Sequence, residues 1–162
     1  MAESGPLQPL YGIGGERALE EQVLGHLAGF GGSGPVRVGN AAALQQQNDL
    51  NGEVIQSLES LLRDPRVIFD GGGDFFPLVE RLVEQAIVLA PQPDTSIWEF
   101  RSMLRPYTFS RAMCQVAVER GASLAAALGH ASHATRWRAI AQAEREVVLS
   151  RGYSRELGYF TQ

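Results

Sequence analysis

A single cysteine, Cys114, stands among 162 residues. No intrachain disulfide can form, which suits a reducing compartment and makes a cytosolic site the expectation. No apolar run reaches the roughly 20 residues that a membrane-spanning helix needs. The opening Met-Ala-Glu-Ser-Gly-Pro-Leu lacks the basic segment and apolar run of a secretory signal, so no membrane role is expected. The arginines are scattered and the net charge is −4; without a basic stripe to neutralise successive phosphates, nucleic acid is not an expected partner. His26, His130 and His133 bring no third ligand at metal-site spacing. The hydroxyl residues form no nucleophile elbow. Neither a metal nor covalent catalysis is expected.

What is present is an ordinary globular composition, 44% hydrophobic and 20% charged, soluble and long enough for one folded unit. Residues 1–49 are glycine-rich and irregular, with short apolar stretches at Leu10–Ile13 and Val36–Val38 and room for a short helix after Arg17. From Leu50 the periodicity turns helical. The first helix carries Val54, Ile55, Leu58, Leu61 and Leu62 on one face and stops before Asp64-Pro65, because proline disfavours the helical conformation of its predecessor. A second follows the Gly71-Gly72-Gly73 break, with Asp74 as N-cap and Phe75, Leu78, Val79, Leu82, Val83, Ala86 and Ile87 recurring at three and four. A third spans about 108–128 with Met113, Val116, Ala117, Leu124 and Leu128 as its stripe; its many alanines suit packing on more than one side. The fourth spans about 133–151, with Trp137, Ile140, Ala141, Val147 and Val148 inward and Gly152 as its stop. This pattern predicts an all-α assembly of antiparallel pairs.

The segment 91–107 is too long for a plain helix connection and holds Trp98, Glu99, two arginines and a tyrosine, which marks it for function. Gly29-Phe30-Gly31-Gly32-Ser33-Gly34 has dinucleotide-loop spacing but is followed by extended chain instead of a helix, so it reads as a turn. Cys114, on an apolar helix, reads as core packing. Glu80, Glu84, Glu144 and Glu146 fall on helix faces where solvation accounts for them. Glu99 differs: the adjacent Trp98 could offer a sugar-stacking face and desolvate the carboxyl.

Read in order, the segments Leu10-Tyr11-Gly12-Ile13-Gly14-Gly15-Glu16, Pro35-Val36-Arg37-Val38-Gly39-Asn40, Gln47-Asn48-Asp49-Leu50-Asn51-Gly52-Glu53, Ile97-Trp98-Glu99, Tyr107-Thr108-Phe109-Ser110-Arg111-Ala112-Met113-Cys114 and Leu157-Gly158-Tyr159-Phe160-Thr161-Gln162 carry a resemblance. Nearly end to end, the chain resembles glycoside hydrolase family 15, the glucoamylase and bacterial trehalase group. That resemblance implies a partial (α/α)6 barrel of about four helices preceded by a glycine-rich loop and short-strand segment, with residues 1–162 part of one catalytic domain truncated at both ends. It implies an inverting hydrolase of terminal α-glucosidic bonds in an α-glucan, a maltooligosaccharide or trehalose, working without redox cofactor or catalytic metal. Glu99 takes the general acid's position, and the family's general base lies downstream of this chain. Trp98 and Arg101 resemble pocket-lining residues. Asp49 resembles part of the sugar-facing set, with an N-cap of the first helix as its structural alternative.

Asn51 stands where relatives carry Tyr in a Tyr-Gly-Glu segment, Gln115 where an aromatic is frequent, and residues 101–106 depart from the glycine-containing form of that loop; all three bear on substrate choice. Four helices cannot close the barrel, so exposed apolar faces and self-association are expected. The alternative is a non-catalytic helical module binding a carbohydrate or protein partner.

Overall fold

The computed structural model describes residues 5–67, 74–99 and 103–162. Helices dominate: α1 (Leu50–Arg63), α2 (Phe76–Leu89), α3 (Thr108–Ala127) and α4 (Ala131–Gly152). Two small antiparallel ribbons flank them, β1 (Gln22–Val23) with β2 (Arg37–Val38), and β3 (Tyr153–Ser154) with β4 (Tyr159–Phe160). The architecture is mainly helical, as the periodicity predicts, and no described helix is long and apolar enough to cross a membrane.

Helix α3 packs against each of the other three. Its first turn meets the end of α4, where Gly152 leaves room for Thr108 and Arg111 donates to Glu144 at 2.8 Å. These contacts make α3 and α4 an antiparallel pair. Val83 of α2 lies against Gly121, while α1 runs alongside α3 from the Gly52–Met113 crossing to the Glu59–Arg120 ion pair. The core joins Ile55, Val79, Leu82, Val83, Cys114, Val118, Ala122 and Trp137. Each large apolar side chain buried there contributes roughly 1.5–3 kcal/mol relative to exposure.

Small residues govern the α3 interface more than the expected stripe does. Its buried positions are Ser110, Cys114, Ala117, Val118, Gly121, Ala122, Leu124 and Ala125. Met113 and Val116 are half-buried and Leu128 is exposed, because a helix contacted by three partners buries a wide band of small side chains instead of one narrow row. On α4, Trp137 and Ala141 are buried, whereas Ile140, Val147 and Val148 are half-buried. Asp74 acts one residue outside the expected position: its Oδ1 accepts from the Phe76 amide at 2.9 Å, and Phe75 occupies the N-cap site. The triple glycine before it lies outside the described residues.

In the N-terminal segment, Leu10–Ile13 forms no strand, and a strand at Gln22–Val23 takes the place of the short helix expected after Arg17. The glycine-rich loop is the turn that its context implied. Gly29, Gly31 and Gly32 all have positive φ, and a Cβ at Gly29 would press on the Ser33 carbonyl.

Candidate active site

The chain enters α1 through Gln45-Gln46-Gln47-Asn48-Asp49, and this polar run is the bed on which the Glu99 loop rests. At the foot of the loop, Asp94 and Arg105 exchange backbone hydrogen bonds of 3.0 Å in both directions, which hold the two ends of the segment together. Thr95 fastens the rising limb, its amide and its hydroxyl donating to the Gln46 carbonyl at 3.0 and 2.8 Å. Near the tip, the Glu99 amide donates to the Ser96 carbonyl at 3.3 Å, and the Gln45 side-chain amide donates to the Glu99 carbonyl at 3.2 Å.

Ser96 and Glu99 both hold left-handed backbone, with φ of 54° and 52°. For residues bearing a Cβ this costs about 1–2 kcal/mol each, and it persists only where surrounding contacts over-determine the loop. The Trp98 side chain is 60% exposed and Glu99 is exposed as well. The two therefore stand outward from the described chain, and the tryptophan does not enclose the carboxyl. Arg101, the remaining residue expected at this loop, lies outside the described residues.

Asp49 sits beneath. It is 1% exposed and neither carboxyl oxygen has a hydrogen-bond partner among the described residues. The capping alternative does not account for it: Asp49 precedes Leu50 at the N-cap position, but its backbone is already helical and its side chain makes no cap bond. Burial pushes its pKa up to about 6; its own backbone amide opposes the shift, and the charges of Glu53 and Asp94 add to it. Its carboxyl thus makes no side-chain bond that would account for its burial among the described residues.

Sequence reasoning missed the residues that hold these groups together. Asn48, 1% exposed, donates its side-chain amide to the carbonyls of Leu89 and Gln92 at 3.2 and 3.0 Å. Its backbone amide donates to Asp94 Oδ2 at 2.8 Å, and its carbonyl accepts from the Cys114 thiol at 3.2 Å. One residue thus joins the end of α2, the foot of the Glu99 loop and α3. The available signal was a run of polar side chains directly before an apolar helix, where exposure would have been the ordinary reading. Burial, reinforced by the charges of Asp94 and Asp49, pushes the Cys114 thiol up to about 12, so that cysteine is packed and inert.

Elsewhere, several helix-face carboxylates prove to be cross-links between elements. Glu84 accepts from Arg136 and from the Trp137 indole at 2.8 Å, and the Arg136 bond holds its carboxyl below the usual range. Glu80 meets His133 at 3.1 Å, and His130 stacks on Phe76. Among the described residues no three His, Cys, Asp or Glu side chains gather as a metal site.

Comparison with known proteins places the chain in a family. The family model described as Glycosyl hydrolases family 15 matches residues 3–162. The chain is 41% identical over 160 residues to a trehalase of Mycolicibacterium smegmatis, covering 99% of this chain and 23% of that protein. It is 40% identical over 160 residues to a trehalase of Mycobacterium tuberculosis, again 99% and 23%. A trehalase of Thermoplasma volcanium is 30% identical over 156 residues, 96% of this chain and 24% of the relative. The chain therefore spans about a quarter of the length of the curated relatives it matches. No solved structure matches it.

Proposed function

Because the chain belongs to glycosyl hydrolases family 15, we propose that it supplies the acid-bearing part of one (α/α)6 catalytic domain, residues 1–162 being a portion of that domain, in an enzyme that hydrolyses the α-glucosidic bond of trehalose. The relatives' name supports trehalose over an α-glucan or maltooligosaccharide. The carrying observation is the Glu99 loop. A carboxylate is held at a left-handed position on a hydrogen-bonded excursion, next to an exposed tryptophan.

In the mechanism proposed, Glu99 protonates the glycosidic oxygen as the bond to the anomeric carbon breaks. A water on the opposite face of the sugar attacks that carbon and gives its proton to a carboxylate, which inverts the configuration. The carboxyls of such pairs are about 6.5–9.5 Å apart, leaving room for the water. The base belongs to sequence outside this chain. Trp98 offers its ring to a sugar face, Arg101 a charged hydrogen-bond donor to hydroxyls, and Asp49 belongs to the same substrate-binding set, its carboxyl closed off within the described residues. No cofactor or metal takes part.

The test is Glu99→Gln in the full-length enzyme. Loss of general acid catalysis lowers turnover of trehalose by about 10²- to 10⁴-fold, and the released glucose, followed by NMR, emerges as the inverted anomer from one half of the sugar. Turnover within a few-fold of the parent would remove Glu99 from the role. The 162-residue chain alone releases no glucose, since it has the acid without the activated water; glucose release by the chain, abolished by Glu99→Gln, would refute that.

A second reading is favoured by one observation: the core runs unbroken from Ile55 through Val83 and Cys114 to Trp137, across all four helices. A unit with its own core could serve as a module that binds a carbohydrate or protein partner without chemistry. Turnover by the full-length protein, lost with Glu99→Gln, excludes it.

A further inference from the structure

The Glu99 segment is strained at Ser96 and Glu99, and Ile97, Trp98 and Glu99 are exposed while Thr95 and Ser96 are buried. The contacts that fix it converge on two buried residues. Asp94 is fully enclosed, pairs with Arg105 across the loop's foot, and accepts the Asn48 amide at Oδ2. Asn48 is fixed in turn at four other points, by the carbonyls of Leu89 and Gln92, by the Cys114 thiol and by the Gln46 side-chain amide. Side-chain carboxyls are rarely buried to accept one backbone amide, and the second oxygen of Asp94 has no partner among the described residues. That arrangement is costly for stability alone.

We propose that Asp94 and Asn48 are positioning residues for Glu99: the 2.8 Å bond between the Asn48 amide and the Asp94 carboxyl clamps the foot of the acid's loop to the helical core. The inference rests on the reading of Glu99 as the acid. Most of the clamp's contacts involve backbone atoms, so it sets the path of the chain and leaves the Glu99 carboxyl free to meet a substrate. Thr95 and Gln45 extend the same clamp along the loop, to the Gln46 and Glu99 carbonyls. Displacing an acid by about 1 Å is enough to lose about 10²-fold in rate. A misplaced acid fails in one particular way: it slows departure of groups that need a proton and spares those that do not.

Asp94→Ala, Asp94→Asn and Glu99→Gln are compared in the full-length enzyme on trehalose and on α-glucosyl fluoride, whose fluoride departs without a proton. Asp94→Ala lowers kcat on trehalose by about 10²-fold, with KM changed less than about threefold, and lowers turnover of the fluoride far less. Asp94→Asn, whose amide oxygen still accepts the Asn48 N–H, recovers most of the loss. Equal loss on both substrates, or no loss, overturns the proposal. If Glu99→Gln itself lacks the selective loss, the acid assignment fails separately.

Hydrogen exchange on the 162-residue chain then judges the clamp without catalysis: Asp94→Ala speeds exchange of the 95–99 amides at least about tenfold over Asp94→Asn, and equal rates refute it. Should Asp94→Ala not fold, Thr95→Val removes only the hydroxyl bond to Gln46 and must speed exchange in the same amides, though less; unchanged exchange counts against the clamp.

Discussion

Replacing Asp49 by asparagine should stabilise the protein at neutral pH while leaving it unchanged in acid. The carboxyl is 1% exposed and unpaired, and its pKa is raised from 3.8 to about 6. The folded chain holds this proton more tightly than the unfolded chain does. Below about pH 3 both states are protonated and Asp49 costs nothing through ionisation. As pH rises towards 6, unfolding releases a proton, so stability falls. Above the folded pKa the penalty is complete. Two pKa units at 1.36 kcal/mol each put it at about 3 kcal/mol. At about pH 7.5, Asp49→Asn relieves that penalty, and for a chain of this size it raises Tm by roughly 6–12 °C; at about pH 4 most of the gain is gone. Thermal unfolding of both proteins by circular dichroism across this range measures the difference, and subtraction cancels every other titrating group. A Tm difference that stays constant from pH 4 to 7.5 would refute the reasoning.

Two further outcomes test the packing. Gly52→Ala improves intrinsic helix propensity by about 1 kcal/mol, but its Cβ would overlap the Met113 carbonyl oxygen at the α1–α3 crossing, so a net loss of about 1–3 kcal/mol is expected; a rise in Tm would contradict the close approach. Cys114, fully buried and with its thiol pushed up to about 12, should resist iodoacetamide in the native chain at about pH 8 and react after unfolding in denaturant. Labelling of the native chain at the unfolded rate would contradict its placement.

The helices were legible because their signals are local. Pro65 ends α1 one residue after its C-cap, and the recurrence of Val79, Leu82, Val83 and Ala86 turns one face of α2 inward. Periodicity read α3 less well, since a helix surrounded by three neighbours buries Ala117, Gly121, Ala122 and Ala125, which carry little hydrophobic signal. At the site, Trp98 and Glu99 stood out by residue type and by their place in a long loop. Asn48 and Asp94 did not, because a buried polar residue looks like an exposed one until the groups that satisfy it are known, and most of those lie more than 40 positions away. The N-cap alternative for Asp49 failed for the same reason: position along the chain was right, but the direction of a side chain is decided by tertiary packing.

The central place of α3 has a consequence for synthesis. Helices α1 and α2 touch each other less than either touches α3, yet they precede it in the chain, so a ribosome delivers both well before the surface that joins them. At about 5–20 residues per second, Ile55, Val79 and Val83 wait for seconds with apolar faces uncovered. Once α3 emerges, α4 follows after a short turn and the pair can form from local contacts. While residues 50–107 emerge, these helices are therefore exposed to aggregation and to chaperones, and a pause in translation just before Thr108 would lengthen that interval more than one after Ala127.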